Sequence, residues 1–158
     1  MVYSYSYSPH TPHTPRRDES RLYITSHTSH TLLWRCNMTI TLNHTIVPAH
    51  NKEAAAQFFA QIFGLKVEPS IGYFAAVHVN DTLTLDFADR EEFESHHYAF
   101  HVSDEDFDAI FERVKAAGLE YTSDPMHQNK NQINHRNGGR GFYFYDPDGH
   151  NLELLTRP

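Results

Sequence analysis

The strongest constraint on what this chain can become is that it carries one plan twice. Residues 39–47 alternate so that Leu42, His44 and Ile46 share a face, the two-residue period of a strand. A helix then opens at Asn51, whose side-chain oxygen suits an N-cap. It carries Ala55, Phe58, Phe59, Ile62 and Phe63 at helical spacing and stops at Gly64. Three short strand candidates follow at 66–68, 73–79 and 83–87, the last two joined by a turn at Asn80 and Asp81. From residue 97 the order repeats. A strand over 97–102 leads to a helix capped by Ser103 or Asp104, with Phe107, Ile110, Phe111 and Val114 along one stripe and a stop at Gly118. Strands at 120–122, 141–145 and 152–155 complete the copy. His44 precedes Gly64 by 20 residues and His97 precedes Gly118 by 21, so each copy opens with a histidine in the same place. This duplication predicts an α+β fold of paired βαβββ modules, about 38–90 and 91–158, forming a curved mixed sheet around a cleft.

Composition narrows the setting. A formal charge of −7, with no Lys/Arg run longer than Arg16 and Arg17, argues against nucleic acid or an anionic membrane surface as partner. No stretch approaches the ~18 apolar residues of a spanning helix, and the N-terminus is polar where a secretory signal is apolar, so a cytoplasmic location is expected. The lone Cys36 has no partner for an internal disulfide. Residues 1–37 are rich in Ser, Tyr, His, Thr and Pro without apolar periodicity, a composition that buries too little surface to offset chain entropy. They are expected to be an unstructured tail or, with Met38 as an alternative start, a gene-model extension. Their four histidines, His10, His13, His27 and His30, are spaced irregularly between prolines and read as low complexity.

The folded part places chemistry at equivalent points of its two copies. If the modules face one another, His44 and His97 converge from the two opening strands, and Glu153 arrives from the last one. Two imidazoles and a carboxylate make a facial set that leaves open positions on a divalent ion, which makes the cleft a metal-binding one. Asp146-Pro147-Asp148-Gly149 fits a type I turn that delivers Glu153 at fixed register. Asp86 takes the place of Glu153 in the first copy, as a fourth ligand or a general base. His101 shares a face with His97 and is a second acid/base candidate, or else a packed imidazole. The polar insert 123–139 reads as a loop covering the site. His135, Arg136 and Arg140, in and just after it, are candidates to hold an anionic or carbonyl oxygen of substrate. The glycines around Arg140 lead into a strand and not a helix, so they form no phosphate loop.

His44 in Leu42-Asn43-His44-Thr45-Ile46-Val47, His97 in His97-Tyr98-Ala99-Phe100-His101-Val102, and Glu153 after Asp146-Pro147-Asp148-Gly149-His150-Asn151-Leu152 together resemble the vicinal oxygen chelate superfamily. Glyoxalase I, fosfomycin-resistance thiol transferases, bleomycin-resistance proteins, methylmalonyl-CoA epimerase and extradiol dioxygenases belong to it. The resemblance covers about residues 40–157. It implies a divalent metal ion (Ni, Zn, Co, Mn or Fe) held by His44, His97 and Glu153, a small-molecule substrate that chelates it through vicinal oxygens, and a homodimer. The first activity it suggests is that of a glyoxalase-type lyase or isomerase in which Asp86 moves a proton. An Fe(II)-dependent extradiol-type dioxygenase using the same triad is the alternative, and a small-molecule binding protein of the bleomycin-resistance kind is another. Few basic residues are available to cradle a phosphonate, which disfavours fosfomycin-type transfer.

Overall fold

The computed structural model describes residues 40–69 and 72–158, so the expected tail 1–37 lies outside the described residues. The first module runs β1 (His44–Ala49), α1 (Lys52–Phe63), β2 (Ala75–His78) and β3 (Thr84–Asp89). The second runs β4 (His97–His101), α2 (Asp104–Ala116), β5 (Tyr121–Thr122), β6 (Gly141–Tyr145) and β7 (Asn151–Leu155), with a 3-10 turn at Arg136–Gly138 inside the insert. Both helices begin where the sequence asks. The extended Asn51 accepts the Ala54 amide at 2.9 Å, and Ser103 Oγ accepts the Asp106 amide at 3.0 Å while donating to Asp106 Oδ2 at 2.8 Å. Gly64 ends α1 with φ 73°, a left-handed conformation that favours glycine.

Each module builds its own mixed sheet. The strand orders are β1-β3-β2 and β4-β7-β6-β5, with β1 parallel to β3 and β4 parallel to β7. The opening strand of each copy therefore stands at a sheet edge. Two expected strands differ from what the fold contains. The first begins at His44 and not at 39, because its partner β3 begins at Thr84, directly opposite His44. Ahead of that point the chain has no ladder to join among the described residues, and Ile40 and Leu42 are left 82% and 64% exposed. The candidate at 66–68 shrinks to a single bridge between Val67 and Val77.

Period-two burial assigns the faces. On the inner faces, Val77, Leu85 and Phe87 meet Ala55, Ala56, Phe59 and Ile62 of α1, while Phe142, Phe144 and Leu154 meet Phe107, Ile110 and Val114 of α2. Each fully buried phenylalanine or leucine contributes about 1.5–3 kcal/mol relative to exposure. Phe100 joins the modules, its ring centroid 5.6 Å from Phe59 and 4.9 Å from Phe63. A polar rivet does the same: the buried His150 accepts the His96 amide at 2.9 Å and donates to the Pro48 carbonyl at 2.8 Å. Among the described residues no helix is long and apolar enough to cross a membrane.

Candidate metal centre

The outward face of the second sheet follows from its register. His97, Asn151 and Tyr145 form one row across β4, β7 and β6, and Ala99, Glu153 and Tyr143 form the next. Glu153 is brought there by the expected turn. Gly149 (φ 84°) donates to the Asp146 carbonyl at 3.1 Å, and Asp146 Oδ1 accepts the Asp148 and His150 amides at 3.0 and 2.8 Å. Burial pushes the Asp146 carboxyl above its usual range against the pull of the His150 amide.

His97 Nδ1 donates to the Asn151 carbonyl at 3.0 Å, since a carbonyl can only accept. Its other nitrogen, Nε2, is thereby the one left to face Glu153 Oε2, at 3.0 Å. Two acceptors at that distance require something positive between them, a proton or a metal ion. The spacing is also about that of neighbouring ligands on one octahedral ion with bonds of about 2.1 Å. A backbone carbonyl behind the ring and a carboxylate beside it are what a ligating histidine needs, so this pair fits a divalent metal. Glu153 Oε1 accepts the Tyr143 hydroxyl at 2.6 Å. Burial, and then the bond to Glu153, push the Tyr143 phenol up to about 12, which keeps it a neutral donor at physiological pH.

The insert leans on the same face. Asn151 accepts His127 Nε2 on Oδ1 at 3.1 Å and donates from Nδ2 to the Pro125 carbonyl at 3.2 Å, and His127 stacks on Tyr145 with centroids 3.9 Å apart. Arg136 Nη1 donates to the Tyr143 oxygen at 3.4 Å. Three non-glycine residues of the insert, His127, Asn131 and Asn137, have φ of 55°, 57° and 53°. Their left-handed backbones are held by local bonds such as those Asp124 accepts from the amides of Met126, Gln128 and Asn129.

Of the expected ligands, the fold brings His97 and Glu153 together and leaves His44 apart. His44 is exposed on the edge of the other sheet, its Nδ1 within 2.9 Å of the neighbouring Asn43 Oδ1. Among the described residues no three His, Cys, Asp or Glu side chains come within reach of one ion. Convergence of His44 and His97 inside a single chain is thus corrected: they lie on the outer strands of two sheets that share no pairing among the described residues. Asp86 shares the outward face of His44, between Ile46 and Ala76, and its carboxylate makes no hydrogen bond among the described residues. His101 is exposed beside His97 and donates from Nε2 to the Thr156 carbonyl at 3.3 Å. His135 is exposed ahead of the 3-10 turn and makes no side-chain cap. Arg140 differs from its expected substrate-holding place. Its guanidinium grips Asp104 Oδ1 at 2.7 Å and Asp108 Oδ1 and lies 4.4 Å over the Phe107 ring, which pins the start of α2. The residues that sequence reasoning missed are Tyr143 and Asn151. Alternation along 141–145 was the available signal, because it puts Tyr143 on the face of Glu153.

A family model described as the glyoxalase/bleomycin resistance protein/dioxygenase superfamily matches residues 41–154. The chain belongs to this superfamily. Among solved structures it is similar to Oxidase ChaP-H2, at 54% identity and a TM-score of 0.74, over 77% of this chain and 96% of that one. It is also 32% identical to the glutathione transferase FosA of Serratia marcescens, over 74% of this chain and 81% of the relative. A mutant of the fosfomycin resistance protein FosX from Listeria monocytogenes, complexed with Mn(II), shares the fold at a TM-score of 0.57 and 25% identity, over 77% of this chain and 93% of that one. Within the superfamily this chain thus has relatives that are enzymes of more than one kind, and at least one that holds a divalent metal.

Proposed function

We propose that this chain is a metal-dependent oxidase that works as a homodimer on a small molecule chelating the metal through adjacent oxygens. The observation that carries the reading is the 54% identity to Oxidase ChaP-H2 over nearly all of that chain. The pairing of His97 with Glu153 supports it, because two histidines and one carboxylate are the ligand set of non-haem Fe(II) oxygenases. The third ligand is His44 of a second copy. Among the described residues β1 and β4 each end their sheet without a further strand, and Ile46 on β1, with Ile40 and Leu42 just ahead of it, is exposed near His44. Joining the first sheet of one copy to the second sheet of another would cover those apolar side chains and bring the histidines together.

An Fe(II) ion held by His97, Glu153 and His44 of a second copy would supply the redox and Lewis-acid chemistry for oxidation of the substrate by dioxygen. The chain's own residues do the rest. The Asn151 carbonyl fixes the His97 ring, and Tyr143 fixes Glu153. Arg136, a cation at the edge of the face, attracts an acidic oxygen of the substrate, and His135 stands next to it on the insert. His101, two residues along from His97, and Asp86, on the sheet that a second copy supplies, are the groups placed to carry a proton. The lyase or isomerase activity suggested by the sequence ranks below the oxidase, since the strong likeness is to an oxidase.

The test uses full-length protein purified without chelator, analysed for metal and reconstituted anaerobically with Fe(II), Ni(II) or Zn(II). Oxygen uptake with a panel of ortho-dihydroxy aromatics, seen with iron alone, is the expected result. Oxygen-independent turnover with nickel or zinc overturns the oxidase reading in favour of a lyase or isomerase, and a chain that takes up no metal overturns both.

A further inference from the structure

Glu153 offers its two oxygens to two different neighbours. Oε2 faces His97 Nε2 at 3.0 Å, while Oε1 accepts the Tyr143 hydroxyl at 2.6 Å. A free carboxylate binds a divalent ion through one oxygen or through both, and the second mode takes a coordination position that substrate would otherwise use. A short bond from a hydroxyl to a charged carboxylate is among the stronger hydrogen bonds, so Oε1 is withheld and Oε2 alone is on offer. Tyr143 is itself immobilised. It is only 3% exposed, stands directly opposite Glu153 in the β6/β7 ladder, and lies with its ring 6.1 Å from that of His97. Arg136 carries donors only, so its bond to the Tyr143 oxygen occupies a lone pair and leaves the phenolic hydrogen for Glu153. The first module shows the same register without the device: Ala76 stands opposite Asp86 where Tyr143 stands opposite Glu153.

We infer that Tyr143, seconded by Arg136, is a positioning residue that confines Glu153 to one-oxygen ligation and so keeps a coordination position free for substrate. The inference rests on the metal-dependent reading above. It is tested with Co(II), whose visible d–d bands report coordination number, titrated into the full chain and into the Tyr143→Phe and Arg136→Met variants. Tyr143→Phe keeps the buried ring and removes only the hydroxyl. The expected result is a dissociation constant raised by about 10–100-fold, the usual consequence of losing a partner of a ligand. Its bands should also weaken as the second carboxylate oxygen enters. Arg136→Met should move both readouts in the same direction by less, with thermal midpoint and oligomeric state unchanged. Unchanged affinity and bands in Tyr143→Phe overturn the inference while the metal reading stands. If that variant does not fold, unchanged bands in Arg136→Met overturn it instead. An unsubstituted chain that binds no cobalt overturns the metal reading and this inference with it.

Discussion

In the first module His44 sits opposite Thr84, and Asp86 lies two positions further along the same face, between Ile46 and Ala76. In the second, His97 sits opposite Asn151, and Glu153 lies two positions further along, between Ala99 and Tyr143. The backbone plan is the same, yet only the second module draws its histidine and its acid together. Glutamate is one methylene longer than aspartate, Tyr143 replaces an alanine, and the insert 123–139 exists in one copy only. Duplication thus sets where a histidine and an acid can stand. Whether they act as a pair is decided by the strand on the far side of the acid and by the loop above it.

The comparison can be broken most severely at the second module. His97→Ala should reduce bound metal to background by elemental analysis and abolish turnover, while full metal content in that variant would remove the pair from the site. His44→Ala should give the same loss, and here the two modules can be set against each other. Co-expression of His44→Ala with His97→Ala should restore activity that neither has alone, because a mixed dimer keeps one site with both histidines. Absence of rescue, with mixed dimers present, would place His44 elsewhere. Next in size is the rivet between the modules. His150→Ala leaves the His96 amide and the Pro48 carbonyl without partners and opens a cavity, so denaturant unfolding should show a loss of about 2–4 kcal/mol. The smallest effect is expected for Arg140→Ala. Its aspartate partners are largely exposed, so the loss should be about 1 kcal/mol including the contact with Phe107, with kcat unchanged.

Much of this was legible in the sequence where local rules suffice. Asn51, Gly64 and Ser103 mark helix ends by their own chemistry, and alternation alone assigns His97, Ala99 and His101 to one face of their strand and Asn151, Glu153 and Leu155 to one face of theirs. The rest depends on partners far along the chain. β1 begins at His44 only because β3 begins at Thr84, a fact absent from the alternation of residues 40–46. Arg140 is taken up by Asp104 and Asp108, which lie 36 and 32 positions earlier, and no local pattern links them. Tyr143 could be placed on a face, but not opposite Glu153, until the register of β6 and β7 was known. That His44 and His97 stand on the outer strands of two separate sheets depends on strand order, which is not written in any single segment.

The insert is tied to the sheet by paired backbone bonds between Asn134 and Gly141 and by the Asn131 amide on the Tyr121 carbonyl, as well as by Asn151 and Tyr143, and three left-handed residues shape it. Each of those residues costs on the order of 1 kcal/mol in backbone strain, which the loop bears and the strands do not. A segment of different length or charge grafted between Thr122 and Gly141 would therefore alter two things at once: the molecules admitted and, through the loss of Arg136 from Tyr143, the hold on the glutamate beneath.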